Sequence, residues 1–339
     1  MRKVFVTLLK YLIIALIPTG VAIGALMWLK TLIFTPPVTQ LPAGTIFEIQ
    51  PDETFRSVTI RMEEQGLIRS HQALQILGRL KEIDKKIRAG EYEIDGPLSV
   101  AQALKLLAEG KIIERKVTIP EGSTLIQIAE AIEHAGITTK DKILPEFYMQ
   151  KYLDILDIPA KSLEGYLFPE TYKFAKSTSP ETIVNQMLKE GVSRWLQEYT
   201  DRAEEMGFNR HEILTLASII EKESGSLEEQ PLISSVFHNR LKEKMKLQSD
   251  PTVIYGLENF NGNLTKEDLN NPHPYNTYVI EGLPPAPICN PGITAIKAAL
   301  YPAETKFLYF VSTNKGNHVF SESYDEHLKM VELYQKNQN

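Results

Sequence analysis

The chain has 339 residues, enough for a membrane segment and two or three domains. Its 43% hydrophobic and 24% charged content is that of a globular protein with real cores, and its net charge of −6 excludes ordinary nucleic-acid binding, which needs a surplus of Lys and Arg. The single cysteine, Cys289, excludes an internal disulfide and a thiolate metal cluster.

Residues 11–29 carry no charge, and the apolar run resumes at 32–34 beyond Lys30. That length spans a bilayer as one helix. The reading is a cytoplasmic tail at 1–10, a transmembrane helix at 11–33 and a stiff linker at 34–44 containing Pro36, Pro37 and Pro42. Arg2, Lys3 and Lys10 precede the helix, whereas Lys30 is the only cation after it before Arg56. The positive-inside bias therefore leaves the N-terminus in the cytoplasm and the rest outside, at the cytoplasmic (inner) membrane, with Tyr11 and Trp28 near the two interfaces. A small-residue site at Ala22-Ile23-Gly24 would suit a cleaved signal peptide, but the apolar run continues past it and favours an uncleaved anchor.

The next region contains an internal similarity. Residues 49–67 and 119–137 match at an offset of 70 from Thr54 and Thr124 onward, with one residue of slippage before them. Each copy reads as a strand, an acidic turn, an amphipathic helix with a Thr near its N-cap, and a Gly C-cap. A helix over 70–80, a strand over 90–94 and a helix over 99–108 complete an α+β module at 45–114; two copies are too few for a solenoid. The first copy resembles a LysM-like peptidoglycan-binding unit. Such a module either holds a polysaccharide or spaces the following domain from the membrane.

Residues 115–339 form a mixed helical/β domain with the chemistry. Glu164-Gly-Tyr-Leu-Phe-Pro-Glu-Thr-Tyr172 is dense in aromatics, as a glycan cleft or an aromatic cluster closing an interface would be. Pro180 opens a helix that the pattern carries to about Tyr199. From His211 to Gly225 runs H-E-I-L-T-L-A-S-I-I-E-K-E-S-G, a mostly apolar helix closing on two glutamates. At about 100° per residue Glu223 falls between Leu216 and Ile219, and Glu221 between Ala217 and Leu214. Both carboxylates thus continue the apolar face, where poor solvation raises a carboxyl pKa toward that of a general acid. A helix over 231–241 follows, then Leu247-Gln-Ser-Asp-Pro-Thr-Val-Ile-Tyr-Gly256, a proline-rich segment from Pro272 to Pro291, and two strands joined by the turn signal Asn314-Lys-Gly-Asn317.

Several chemistries drop out. His211-Glu-Ile-Leu-Thr215 has Thr where a zinc-protease helix needs its second His, and the seven histidines lack ligand spacing, so no metal and no cofactor is expected. There is no phosphate-cradling glycine loop and no G-x-S-x-G elbow. Carboxylate chemistry in a cleft with amides and tyrosines remains, and the helix wheel leaves Glu221 and Glu223 nearly tied.

Ala217-Ser-Ile-Ile-Glu-Lys-Glu-Ser224, Leu247-Gln-Ser-Asp-Pro-Thr-Val-Ile-Tyr-Gly256, Tyr275-Asn-Thr-Tyr278 and Gly282-Leu-Pro-Pro285 closely resemble motifs of the MltG/YceG-like endolytic murein transglycosylases, in the family's order. The resemblance extends from the anchor to about Tyr334. It implies an enzyme that cuts peptidoglycan glycan strands internally, between MurNAc and GlcNAc, and leaves 1,6-anhydro ends. It also implies a role in terminating nascent strands, with peptidoglycan synthases (penicillin-binding proteins) as candidate partners. Other lytic transglycosylases carry their acid as a Glu followed directly by Ser, which singles out Glu223 before Ser224 as catalytic, with Glu221 supporting. Gln248, Asp250, Tyr255, Asn276 and Tyr278 are candidates for orienting the sugar, against turn capping for Asp250 and core packing for Tyr255; His318 and Glu326 are weaker candidates. The competing class is a membrane-tethered, non-catalytic glycan-binding or scaffold protein of the wall-synthesis machinery.

Overall fold

The computed structural model describes residues 2–336, with side chains described over 16–335. Residue 339, the expected end of the second domain, lies outside the described residues, as do the side chains of Arg2, Lys3, Lys10 and Tyr11 on which the membrane orientation rests. The architecture is mixed α+β, and the chain divides into two compact units, residues 1–114 with 175–177, and residues 115–174 with 178–339.

The first unit begins with α1 (Arg2–Phe34), whose segment Leu16–Phe34 is long and apolar enough to cross a membrane. Then come β1 (Thr45–Ile49), α2 (Phe55–Glu64), α3 (His71–Leu80), β2 (Gly90–Ile94) and α4 (Val100–Glu109). β1 and β2 pair antiparallel from Thr45↔Ile94 to Ile49↔Gly90. Period-two alternation turns Phe47, Ile49, Tyr92 and Ile94 into the core, where they meet Val58, Met62, Leu74, Leu104 and Leu107 of the helices. α2, α3 and α4 each start on a hydroxyl: Thr54, Ser70 and Ser99 accept the N–H groups of Ser57, Ala73 and Gln102.

β3 (Glu114–Thr118) pairs with β4 (Thr171–Ala175), and all but Glu114 and Ala175 of the two strands belong to the second unit. Between them lie α5 (Leu125–His134), α6 (Lys140–Ile143) and α7 (Gln150–Ile155). The internal similarity recurs here as structure. α5 begins and ends 70 residues after α2, Thr124 caps it as Thr54 caps α2, and Gly66 and Gly136 take left-handed φ values of 68° and 67° beyond the two helix ends.

α8 (Pro180–Arg194) and α9 (Gln197–Glu205) follow, so the continuous helix expected to about Tyr199 is broken. Trp195 and Leu196 are extended there: the indole N–H of Trp195 reaches Thr200 Oγ1 at 2.8 Å and its ring lies under the Arg210 guanidinium at 5.1 Å. Next come α10 (Arg210–Glu223), α11 (Gln230–Lys242), α12 (Asp250–Gly256), α13 (Lys266–Asn270), α14 (Ile293–Leu300), the antiparallel hairpin β5 (Tyr309–Ser312) and β6 (His318–Ser321), and α15 (Tyr324–Val331).

α10 is the centre of this unit. Every residue from Ile213 through Ile220 is buried. Its Thr215 and Ser218 hydroxyls donate to the helix's own carbonyls of His211 and Thr215, so burying them leaves no orphan donor. It packs chiefly on α14, whose Ala295, Ala298 and Ala299 admit a close approach.

A buried polar clamp ties the pieces of this core together. Asn290, fully buried, accepts the N–H groups of Gly165 and Leu167 on Oδ1 at 3.0 and 2.9 Å and donates from Nδ2 to Ser123 O and Glu164 Oε1, both at 2.9 Å. Glu164, 3% exposed, also accepts from Leu125 N, the first residue of α5, and from the Tyr255 hydroxyl at 3.2 Å. Burial pushes its carboxyl up to about 7, against the opposing effect of these hydrogen bonds. The aromatics of this stretch are core: Tyr166 and Tyr172 are buried, with hydroxyls on His211 Nδ1 and Phe168 O. The aromatic cluster, not a glycan platform, is what this composition builds.

Two outcomes follow. Because the folded Glu164 holds its proton more tightly than the unfolded chain, its contribution to stability is fully present below the ordinary value of 4.5 and is lost as pH rises through about 7. Glu164→Gln, which keeps an acceptor for Leu125 and Asn290 and offers Tyr255 a donor, is expected to fold and to flatten the decline in thermal midpoint between those pH values; an unchanged pH slope contradicts this. Gly225→Ala places its Cβ 2.6 Å from the backbone oxygen of Gly316 in the β5–β6 turn, which side-chain motion cannot relieve. A destabilisation of ~1–3 kcal/mol is expected, read as a lower urea midpoint of the full-length protein in detergent.

Candidate active site

The candidate site begins where α10 ends. Asn209 and Glu212 close a reciprocal capping box at its start, so the glutamate of His211-Glu-Ile-Leu-Thr215 is a cap, not a base beside a metal. At the other end Ser224 is the C-cap: its hydroxyl donates to Ile220 O at 2.8 Å and it accepts Gln230 Nε2 at 3.2 Å. The helix thus stops with Glu223 as its last residue.

One oxygen of Glu223 accepts the hydroxyl of Ser249 at 2.5 Å. Ser249 is the N-cap residue of α12, yet its side chain makes no capping bond; it is turned instead toward Glu223. Burial is the main cause that lifts the Glu223 carboxyl to about 7, aided by the charge of Asp250, while the Ser249 bond and the Arg240 charge pull the other way. The negative end of the α10 dipole acts in the same direction as burial. A carboxyl so placed is populated in both protonation states near neutrality.

Glu223 opens on a cleft of about 510 Å³. Gln248, Asp250, Tyr278 and Arg240 share its lining, and the hairpin and α15 bring Tyr309, His318 and His327 to it. The Tyr278 hydroxyl donates to Asp250 Oδ1 at 2.6 Å, and Tyr278 is shifted upward by burial and by that bond. His318 is fixed by Glu229, which takes both its backbone N–H at 2.8 Å and its ring Nδ1 at 3.0 Å. Tyr309 stacks on His327 with centroids 5.2 Å apart.

Of the remaining sequence candidates, Glu221, Tyr255, Asn276 and Glu326 lie outside the cleft lining. Glu221 accepts the N–H of Gly292, the N-cap of α14, at 2.9 Å, and is shifted upward by burial. Tyr255 lies on Glu164 and against the Tyr275 ring at 4.9 Å. Asn276 is buried, with Nδ2 on the carbonyls of Asp268, Leu269 and Asn271 and Oδ1 on Tyr278 N, so its amide holds the loop that carries Tyr278. Asp250 begins α12 but is exposed, with its carboxylate on Tyr278. Glu326 lies exposed on the first turn of α15.

Ser249 and Arg240 are the residues that sequence reasoning passed over. A Ser ahead of Asp-Pro reads as an ordinary helix start, and Arg240 sits in His238-Asn239-Arg240, whose side chains all reach backbone carbonyls between Ala299 and Leu308 or, for Arg240, also at Leu247. Among the described residues, no cluster of His, Cys, Asp and Glu could hold a metal ion.

Comparison with known proteins gives the chain a family. Residues 47–333 match the model of the YceG-like family. An endolytic murein transglycosylase of Bacillus subtilis (strain 168) is 31% identical over 333 residues, covering 93% of this chain and 91% of the relative. One of Streptococcus pneumoniae serotype 2 is 29% identical over 84% of this chain, which spans 57% of that longer relative. A crystal structure of a yceG-like protein from Listeria monocytogenes is 33% identical, superposes with a TM-score of 0.59 and covers 84% of this chain and 98% of its own. On the extent of the family match and the identity to the Bacillus relative, the chain belongs to the YceG-like family.

Proposed function

We propose that the chain is an endolytic murein transglycosylase that cleaves the MurNAc–GlcNAc bond inside peptidoglycan strands and leaves 1,6-anhydro-MurNAc ends. The observation that carries the reading is Glu223, a carboxyl lifted to about 7 at the wall of an open cleft, with Ser249 on one oxygen. The names of the Bacillus and pneumococcal relatives support the same reaction.

In this reading protonated Glu223 gives its proton to the glycosidic oxygen as the bond to MurNAc C1 breaks through an oxocarbenium-like state. The glycosidic electron pair and that proton leave with the GlcNAc 4-hydroxyl. The Glu223 carboxylate then takes the proton of the MurNAc C6 hydroxyl, whose oxygen closes on C1. No water is consumed and Glu223 ends as it began, so one carboxyl suffices where hydrolases use two. Gln248, Asp250 and Tyr278 are the cleft residues available to orient the sugar, and the Asp250 carboxylate adds favourable charge for a cationic centre. Glu221, Tyr255 and Asn276 act as supports: on α14, on the Glu164 clamp and in the Tyr278 loop.

The long apolar stretch of α1 supports an anchor in the cytoplasmic membrane, with the N-terminus inside and the cleft facing the wall. Residues 45–114 are read as a LysM-like module that holds glycan or spaces the catalytic unit. Strand termination beside peptidoglycan synthases fits this placement.

Glu223→Gln in the full-length protein in detergent should keep its thermal midpoint and lose anhydro-muropeptide release from purified peptidoglycan by at least ~10²-fold, read by mass spectrometry. Glu221→Gln should retain release. Full activity of Glu223→Gln overturns the assignment, reducing ends in place of anhydro ends identify a hydrolase, and binding without release identifies a tethered glycan-binding protein. The wild-type rate should fall as pH rises through about 7, where the acid form of Glu223 is lost.

A further inference from the structure

Arg240 is 7% exposed and holds its charge at the cleft that Glu223 lines. Its Nε donates to Leu308 O at 2.6 Å and its Nη1 to Leu247 O at 2.7 Å, with Lys246 O further off at 3.5 Å. Nη2 makes no hydrogen bond, and no carboxylate lies within ion-pair distance, among the described residues. A buried guanidinium without a counter-ion is costly, and carbonyl dipoles compensate only part of that cost. The carbonyls it uses belong to neighbours of cleft-lining residues: Leu247 immediately precedes Gln248 and is two residues before Ser249, the partner of Glu223, and Leu308 immediately precedes Tyr309 of β5, whose ring lies 5.3 Å from the guanidinium. Glu223 and Arg240 act electrostatically on each other, and among the described residues Glu223 is the one carboxylate that acts on Arg240, beside the Tyr309 and Tyr278 hydroxyls.

We propose that Arg240 is the electrostatic partner of Glu223: held by the carbonyls of Leu247 and Leu308, its guanidinium stabilises the carboxylate that Glu223 becomes between giving its proton to the glycosidic oxygen and taking one from the C6 hydroxyl. The inference rests on Glu223 being the acid. It explains how one carboxyl can serve both steps. Burial and the Asp250 charge favour the protonated form, which starts the reaction but would make a reluctant donor; a fixed positive charge restores the balance. Arg240 is thus a positioning residue acting through Glu223.

The other titratable groups facing the cleft set the controls. Asp250 and Tyr278 are bonded to each other and His318 to Glu229, and Tyr278 also feels the Arg240 charge, which opposes the upward shift that burial and Asp250 give it. The same charge helps hold the His327 imidazole below the usual range, after burial as the main cause.

The test is the pH profile of anhydro-muropeptide release by the full-length protein in detergent. Arg240→Gln should move the basic limb upward by roughly half a unit to one unit, because Glu223 keeps its proton to higher pH. Arg240→Lys, which keeps a charge and loses the forked bonds to the carbonyls, should slow release while leaving the limb near its wild-type position. His327→Asn should also leave the limb in place. If Arg240→Gln does not fold, Arg240→Met keeps the packed stem and carries the same expectation. A basic limb that stays fixed in the uncharged variants, or that moves equally in Arg240→Lys or His327→Asn, overturns the proposal. Should Glu223→Gln prove active, the assignment of the acid fails first; an inactive Glu223→Gln with an unmoved limb refutes the role of Arg240 alone.

Discussion

Burial of α10 on every side is the constraint on which the rest of the second unit depends. Eight consecutive residues, Ile213 through Ile220, are closed off from water, so the helix has no solvent face along which to rotate or slide. Its two ends are fixed by local chemistry, the Asn209–Glu212 box at one and the Ser224 hydroxyl at the other. A carboxyl that terminates so confined a helix is held in position by the core and opens on the cleft. Neighbouring packing then divides two similar glutamates: Glu221 meets the start of α14, and Glu223 meets Ser249 and the open space.

Much of this could be read from residues alone, for reasons that are local. Thr54, Ser99, Thr124 and Ser179 cap helices where the pattern starts them, and the hairpin turn at Asn314–Gly316 takes the left-handed conformations its residues favour. Period-two burial in β1 and β2 is equally a property of a few adjacent side chains. Glu221 and Glu223 stood out together because an acid on an apolar helical face is a local anomaly, and only the family resemblance, through Ser224, chose between them.

What escaped the sequence depends on partners distant along the chain. Ser249 looks like a plain N-cap until α12 is docked beside the end of α10, 26 residues earlier. Arg240 meets backbone carbonyls, and a carbonyl has no residue type to search for. Asn276 has the composition of a sugar-binding amide, yet three carbonyls of its own loop occupy its donors. Tyr166 and Tyr172 carry the same composition whether they face a ligand or a core, and only packing decides between them. The break after α8 likewise follows from Trp195 having a place beside Arg210 that a continuous helix could not give it.

The Asn290 clamp also bears on how the chain folds. Its side chain joins Asn290 to Gly165, 125 residues away, and to Ser123, 167 residues away, whereas the strands of the first unit close within residues 45–94. Contacts of such separation form only after the loop-closure entropy of the intervening chain has been overcome, and they set folding rate more than stability. During vectorial synthesis the first unit has all of its strand residues available while the second still lacks the residue that ties α5, the Glu164 loop and α14 together. The clamp within this unit therefore cannot close until residue 290 has been made. Until then the apolar helices of the second unit lack these long-range ties, a condition in which aggregation and proteolysis compete with folding.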